Sequence, residues 1–245
     1  MSNAPIFIFF HLSKSGGTTL NAYLAQHLAW DVELVNFSFW GRHYRRTHGI
    51  AEFADRTLED RQTARVLTGH HTYAGMHTLV PGREARYFTV IRDPAERCVS
   101  LYNFRRSRGK TGLPFEDWYS SVYRLEYANS AVKFYAQRAF GEHVADDPAA
   151  NLDIAIGLLE KCWIATVTPK LDEVLGKLSA HLSLPEDWES QRRAGDRSAL
   201  DLPHHPSNGE VVRRYASVND RIRERVATDG AADMRLFEWA RDRDI

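Results

Sequence analysis

The stretch IFIFFHLSKSGGTTLNAYLAQHL, residues Ile6–Leu28, decides how the chain is read. Its first five residues, Ile6–Phe10, are all apolar, as in a strand buried on both faces of a parallel sheet. From Thr18 to Leu28 the period changes. Leu20, Tyr23, Leu24, His27 and Leu28 recur at helical spacing and mark one face of a helix. Between strand and helix lies HLSKSGGTT, His11–Thr19. Gly16 and Gly17 let backbone N–H groups approach an anion closely. A helix beginning near Thr18 adds unpaired N–H groups and the positive end of its dipole. Lys14 adds a full charge, and Ser15, Thr18 and Thr19 add hydroxyl donors. All of these groups suit a phosphate-like oxyanion. The order of residues is not that of a Walker A loop, where Lys follows the last Gly, because Lys14 precedes both glycines.

Working outward, three more apolar runs predict strands: Arg65–Thr68, Tyr87–Ile91 and Trp163–Val167. Helical patterns follow two of them. Pro94–Arg106 opens with a proline in its first turn, and Leu171–Leu182 carries Leu171, Val174, Leu175, Leu178 and Leu182 on one face. The aromatic-rich middle, Phe115–Gly141, and Asp147–Glu160 are also expected to be helical. Two further helices are expected at about Gly209–Val226 and Ala231–Arg243, broken near Asp229-Gly230. Asp196–Asn208, with its prolines and paired histidines, predicts a loop. Alternating strands and helices predict an α/β fold, a P-loop-like three-layer domain with a mostly parallel central sheet, spanning residues 1–245 as one unit. In such sheets ligands bind beyond the carboxyl ends of the strands. That rule points to residues 11–19, 69–77, 92–100 and the segment after Val167.

Composition narrows the partners. The chain has 245 residues with 32 Lys plus Arg against 32 Asp plus Glu, so bulk charge argues for neither nucleic acid nor a membrane surface. No apolar run approaches the roughly 20 residues a membrane helix needs, and no secretory leader opens the chain. Two cysteines, Cys98 and Cys162, are too few for a disulfide framework and read as buried thiols in a reducing, cytoplasmic setting.

A second loop, Arg92–Ser100 (RDPAERCVS), also leaves a strand and enters a helix. The Arg92 guanidinium suits bidentate phosphate recognition, and Ser100, about two turns along the helix, offers a hydroxyl to the same group. Arg97 fits either a core ion pair or a site.

These two segments resemble sulfotransferases. HLSKSGGTTL, His11–Leu20, is similar to their 5′-phosphosulfate loop, and YFTVIRDPAERCVSL, Tyr87–Leu101, to their 3′-phosphate motif. The wording is nearest to the heparan sulfate 2-O- and 6-O-sulfotransferase branch and its bacterial relatives. There the loop typically reads H-x-x-K-[ST]-G-G-T-[TS]. Thr68–His71, Asn129–Phe134, Trp163–Leu184 and Asn219–Arg243 extend the resemblance over most of the chain. Ser13 and Ser15 depart from the Pro and Thr often found in the family, and Ser15 keeps the hydroxyl. Thr168-Pro169 stands where relatives often carry Thr-Glu.

The resemblance implies the donor 3′-phosphoadenosine 5′-phosphosulfate, PAPS, with adenosine 3′,5′-bisphosphate, PAP, as product and no required metal. Its 5′-phosphosulfate would lie in the first loop on Lys14, Ser15, Gly16, Gly17, Thr18 and Thr19, with Lys14 stabilising the leaving group. Arg92 and Ser100 would hold its 3′-phosphate. The acceptor would be a hydroxyl, on a glycan or small molecule. A histidine in the Gly-His segment acts as general base in the resembling enzymes, which implies His70 here, with His71 and His77 as rivals. His11 reads as a supporting residue. Phe39, Trp40, Arg42–Arg46 and Tyr73 are candidates for lining an acceptor cleft, and Leu202–Asn208 for closing over the donor. The rival classes are a P-loop-type small-molecule kinase and a non-catalytic module that binds adenosine bisphosphate.

Overall fold

The computed structural model of the protein describes residues 4–37, 49–140, 144–188 and 215–243. Its centre is a five-stranded parallel sheet in the order β2-β3-β1-β4-β5. The strands are β1 (Ile6–Phe9), β2 (Leu34–Asn36), β3 (Val66–Thr68), β4 (Ala85–Ile91) and β5 (Ile164–Val167). Phe7 pairs with Val66 on one side and Arg86 on the other, and Ile91 pairs with Val167.

Alternation of side chains across the strands builds the layers. Phe7, Phe9, Val66, Phe88, Val90 and Ile164 face α1 (Gly17–His27) and α9 (Leu171–Leu182), whose Leu20, Tyr23, Leu24, Val174, Leu175 and Leu178 complete that core. The opposite face is covered in two parts. Ile6, Ile8, Val35 and Leu67 pack with Phe53 of α2 (Ile50–Ala54) and with Met76. Ile91, Ala165 and Val167 pack with α7 (Ser130–Phe140), α8 (Pro148–Leu159) and α11 (Ala231–Arg241). The remaining helices are α3 (Leu58–Gln62), α4 (Pro94–Ser107), α5 (Phe115–Trp118), α6 (Arg124–Glu126) and α10 (Asp220–Asp229). Among the described residues, no helix is long and apolar enough to cross a membrane.

The four expected strands and the α/β class are found, each strand within two residues of its expected ends. Three expectations are corrected. The short edge strand β2 was not anticipated. The middle segment is not continuous: α5, a π-helical turn at Tyr119–Tyr123 and α6 end before Asn129, whose φ of 57° breaks the path into α7. Of the helix expected over about Gly209–Val226, residues 215–219 are not helical and α10 begins at Asp220, capped by the Asn219 side chain, which accepts the Ile222 N–H; residues 209–214 lie outside the described residues. Residues 215–216 are held outside any helix because the Asn103 side chain accepts both of their N–H groups and donates to the Ala216 carbonyl.

Strand order fixes where a ligand can enter. From β1 the chain moves through α1 toward β2, and from β4 it moves through α4 toward β5, on the other side. The connections diverge between β1 and β4, so a crevice opens at their carboxyl ends, as at the switch points of doubly wound sheets. The loops carrying Lys14 and Arg92 flank it.

Candidate active site

The loop after β1 is bent by two left-handed residues, Lys14 at φ 66° and Gly16 at φ 85°. For lysine that conformation costs about 1–3 kcal/mol and is typical of functional loops. Gly16 occupies the N-cap position of α1 and offers no side-chain cap, and the first turn carries no acidic residue. By contrast α3, α4, α8 and α10 are capped by Thr57, Asp93, Asp147 and Asn219. The amide end of α1 is thus left to the loop, where an anion would take the N–H groups. The Ser15 hydroxyl is buried with no hydrogen-bond partner among the described residues. Thr18 is exposed and Thr19 half-buried. The segment after β5 closes the back of the loop, since a Cβ added to Gly16 would lie 3.3 Å from Leu171 and 3.8 Å from Thr168.

Gly17 has a steric duty beside the anion approach expected of it. A Cβ there would fall 2.0 Å from His11 Nε2, so the glycine exists to admit the His11 ring.

Arg92 stands directly beside the loop. Its Nη1 approaches the Lys14 carbonyl at 3.5 Å, and its Nε donates to Glu96 at 3.2 Å. Glu96, Ser100 and Phe104 are successive i,i+4 neighbours on α4, with Arg92 just before its start and Arg108 just past its end, so that the five form one row. The row faces the loop at both ends: Lys14 Nζ lies 4.3 Å from the centre of the Phe104 ring, and the Arg108 guanidinium lies 5.7 Å from the same centre. Ser100 is half-buried midway along it. Three cations, Lys14, Arg92 and Arg108, therefore crowd one crevice. Burial first, then Arg92 and Arg108, bring the Lys14 ammonium down to about 8. Asp93 is committed elsewhere, accepting the Glu96 N–H at the start of α4 and pairing with Arg223.

Arg97 points away from this row. It bonds Ser130 and pairs with Asp233 in the interior, which settles it as a structural residue.

The turn after β3 brings in histidine. Gly69, at φ 129°, is required because a Cβ would meet the Phe37 backbone at 2.6 Å. His70 follows, and its Nδ1 lies 2.8 Å from the His11 carbonyl oxygen. A carbonyl only accepts, so Nδ1 carries the proton and Nε2 is the lone-pair nitrogen. Arg138 of α7 donates to the His70 carbonyl and fixes the turn from the other side. Burial and the Arg138 charge lower His70 from its ordinary 6.5, against the His11 hydrogen bond, so the ring is neutral at pH 7. His71 is half-buried and also lowered, and its N–H donates to the Phe37 carbonyl. His77 is turned to the Tyr87 hydroxyl, 2.9 Å from its Nδ1.

No family model and no curated protein matches the chain. Among solved structures, a sulfotransferase from Alicyclobacillus acidocaldarius matches over 100% of this chain and 98% of its own, with a TM-score of 0.50 and 14% identity. The chain shares a sulfotransferase fold. At that identity the likeness concerns architecture, and the roles of individual residues rest on the geometry above. On this sulfotransferase-like frame the crevice between β1 and β4 gathers Lys14, Ser15, Gly16 and Arg92, and the β3 turn carries His70. Phe104, Arg108 and Arg138 belong to the same neighbourhood and were not expected from sequence. The arginines lie within or just beyond helical stretches, where only the i,i+4 row and the packing of α7 reveal their direction. Tyr73 packs beside the Ile8 and Met76 cluster. Phe39, Trp40, Arg42–Arg46, Leu202–Asn208 and the His204-His205 pair lie outside the described residues. Among those described, no group of three or more His, Cys, Asp or Glu side chains is gathered to hold a metal. Cys98 and Cys162 are free thiols, both pushed up by burial and so poor nucleophiles.

Proposed function

We propose that the protein is a PAPS-dependent sulfotransferase acting on a hydroxyl acceptor, with His70 as general base and Lys14 stabilising the leaving group. The observation that carries this reading is the meeting, at one sheet crevice, of an uncapped helix end, the Lys14–Arg92–Arg108 cluster and a histidine in the Nδ1–H form. The buried Ser15 hydroxyl and the left-handed Lys14–Gly16 bend fit an anionic group in the loop. The row along α4 offers Arg92 and Ser100 to a second phosphate, the feature that separates PAPS from ATP. The donor, when bound, supplies the sulfuryl group and a phosphate as leaving group. Lys14 holds positive charge where negative charge develops. His70 Nε2 accepts the acceptor's proton, and the Nδ1–H bond to the His11 carbonyl steadies the imidazolium that results. The likeness of the two motifs to the heparan sulfate branch supports a carbohydrate hydroxyl as acceptor. The two free thiols fit a reducing, cytoplasmic compartment.

A turnover assay with a panel of glycans and simple alcohols separates this reading from a kinase. Label should pass from PAPS in the presence of EDTA. Transfer only from ATP with Mg²⁺ rejects the proposal, and PAP binding without any turnover favours a binding module.

The pH profile gives a second check. His70 must be neutral to take a proton, so kcat/KM should fall on the acid side below 6.5. Lys14 must be charged, so kcat/KM should also fall as pH rises through about 8. Lys14→Arg, which stays charged, should remove the alkaline limb from whatever activity remains. A profile flat from pH 7 to roughly 10 in the parent enzyme would exclude Lys14 from that role.

A further inference from the structure

His11 is a half-buried titratable group that the proposed chemistry leaves unused, yet the features around it hold its ring. The ring stacks on His70 with centroids 4.4 Å apart and planes at 27°. Phe9 stacks on it at 5.3 Å. Gly17, the first residue of α1, gives up its side chain to make room, because a Cβ there would overlap the ring. The ring's Nδ1 is buried with no hydrogen-bond partner among the described residues, so its placement is not explained by polar bonding. The main chain of the same residue accepts the His70 Nδ1–H at 2.8 Å.

The geometry points to His11 as the positioning residue for His70: a neutral aromatic spacer between the donor loop at Gly17 and the base, acting through ring shape and not through proton transfer. This rests on the reading of His70 as base, and goes beyond it by saying what sets that base's position. A hydrogen bond at one edge of the His70 ring sets its tautomer, and a stack on one face sets its plane. Because the spacer touches Gly17, the separation of base and donor cradle is set by one ring. Burial, then His70 and then Lys14 hold His11 well below 6.5, so it keeps its neutral stacking form when His70 takes a proton. Among the described residues, Arg138, which donates to the His70 carbonyl, and the neighbouring His71 also bear on the pair.

Two variants separate shape from titration. His11→Phe keeps a flat ring and loses both nitrogens, whereas His11→Ala removes the ring and keeps the carbonyl. Nitrogen NMR of the His70 ring in the purified full chain reads the outcome without requiring activity. In His11→Phe, His70 should keep its proton on Nδ1 and its lowered titration. In His11→Ala, water entering the gap should raise the His70 titration toward 6.5. PAP binding and the circular dichroism spectrum report whether each variant is folded. Given sulfuryl transfer, His11→Ala should lower kcat about a hundredfold, the scale of a misplaced reactive group, with KM for PAPS within about twofold, and His11→Phe should restore most of the loss. A folded His11→Phe as inactive as His11→Ala, or with His70 as altered as in His11→Ala, overturns the spacer role. So does an unchanged His70 spectrum in His11→Ala. If the chain transfers no sulfuryl group at all, the proposed function fails while the NMR comparison still decides what His11 does to His70.

Discussion

Replacing His70 with Ala is expected to lower kcat by about 10²–10⁴-fold, the usual contribution of a positioned general base. Affinity for PAP should stay within about twofold, because the groups assigned to the nucleotide are on the β1 loop and the α4 segment and none is on the β3 turn. The argument starts from the tautomer. The His11 carbonyl can only accept, which puts the His70 proton on Nδ1 and the lone pair on Nε2. His70→Asn is the sharper variant, since an amide N–H can still reach that carbonyl while the base is lost. It should be as inactive as the Ala variant, with a melting temperature nearer the parent's. His71→Ala, by contrast, should retain activity within about threefold, as expected of a residue making no transition-state contact. Calorimetric titration with PAP and single-turnover sulfuryl transfer measure the two sides separately. Equal losses in His70→Ala and His71→Ala would move the base to the neighbouring ring. An unchanged kcat in His70→Ala would remove it from the chemistry.

Sequence revealed the parts of this molecule that rest on local rules. β1 is a continuous apolar run, α1 and α9 carry helical spacing, and α4 announces itself by Asp93-Pro94. Lys14 and Arg92 could be singled out because each follows an apolar strand at the end where ligands bind. Long-range contacts hid the rest. β2 is only three residues long, too short for a period to show. The steric duty of Gly17 was hidden because nothing local says that the His11 ring occupies its Cβ position. Asn219 did carry the signal for the start of α10, as an Asn just before the helix, but the apolar and charged residues ahead of it suggested an earlier beginning. Residues 215–216 are kept out of that helix by Asn103, more than a hundred positions away in sequence.

The break at Asn129 has the same kind of cause, and it leads to the second large effect. Asn129 precedes α7 but caps another helix: its Oδ1 accepts the N–H groups of Ala232 and Asp233, and its Nδ2 donates to the Asp229 carbonyl. In return Asp233 of α11 accepts the N–H groups of Ala131 and Val132 at the start of α7. The two helices cap each other, which holds Asn129 in its left-handed conformation. Arg97 of α4 supplies the counter-charge, 3.0 Å from Asp233 Oδ2, with side-chain exposures of 5% and 1%. Burial alone pushes Asp233 above the usual carboxylate range, and Arg97 and the two backbone amides oppose that shift. Asp233→Ala should therefore cost about 3–5 kcal/mol, because it strands a buried guanidinium and uncaps α7 together. For a chain of this size that is a fall in melting temperature of about 6–20 °C. Pairing Asp233→Ala with Arg97→Met should recover part of the loss, since no charge is then left buried, but about 1 kcal/mol should persist as the missing cap. Thermal unfolding of the single and double variants measures both parts. A single variant melting within about 2 °C of the parent would mean that water reaches Arg97 and α7 readily, and that this ion pair does not join α4, α7 and α11.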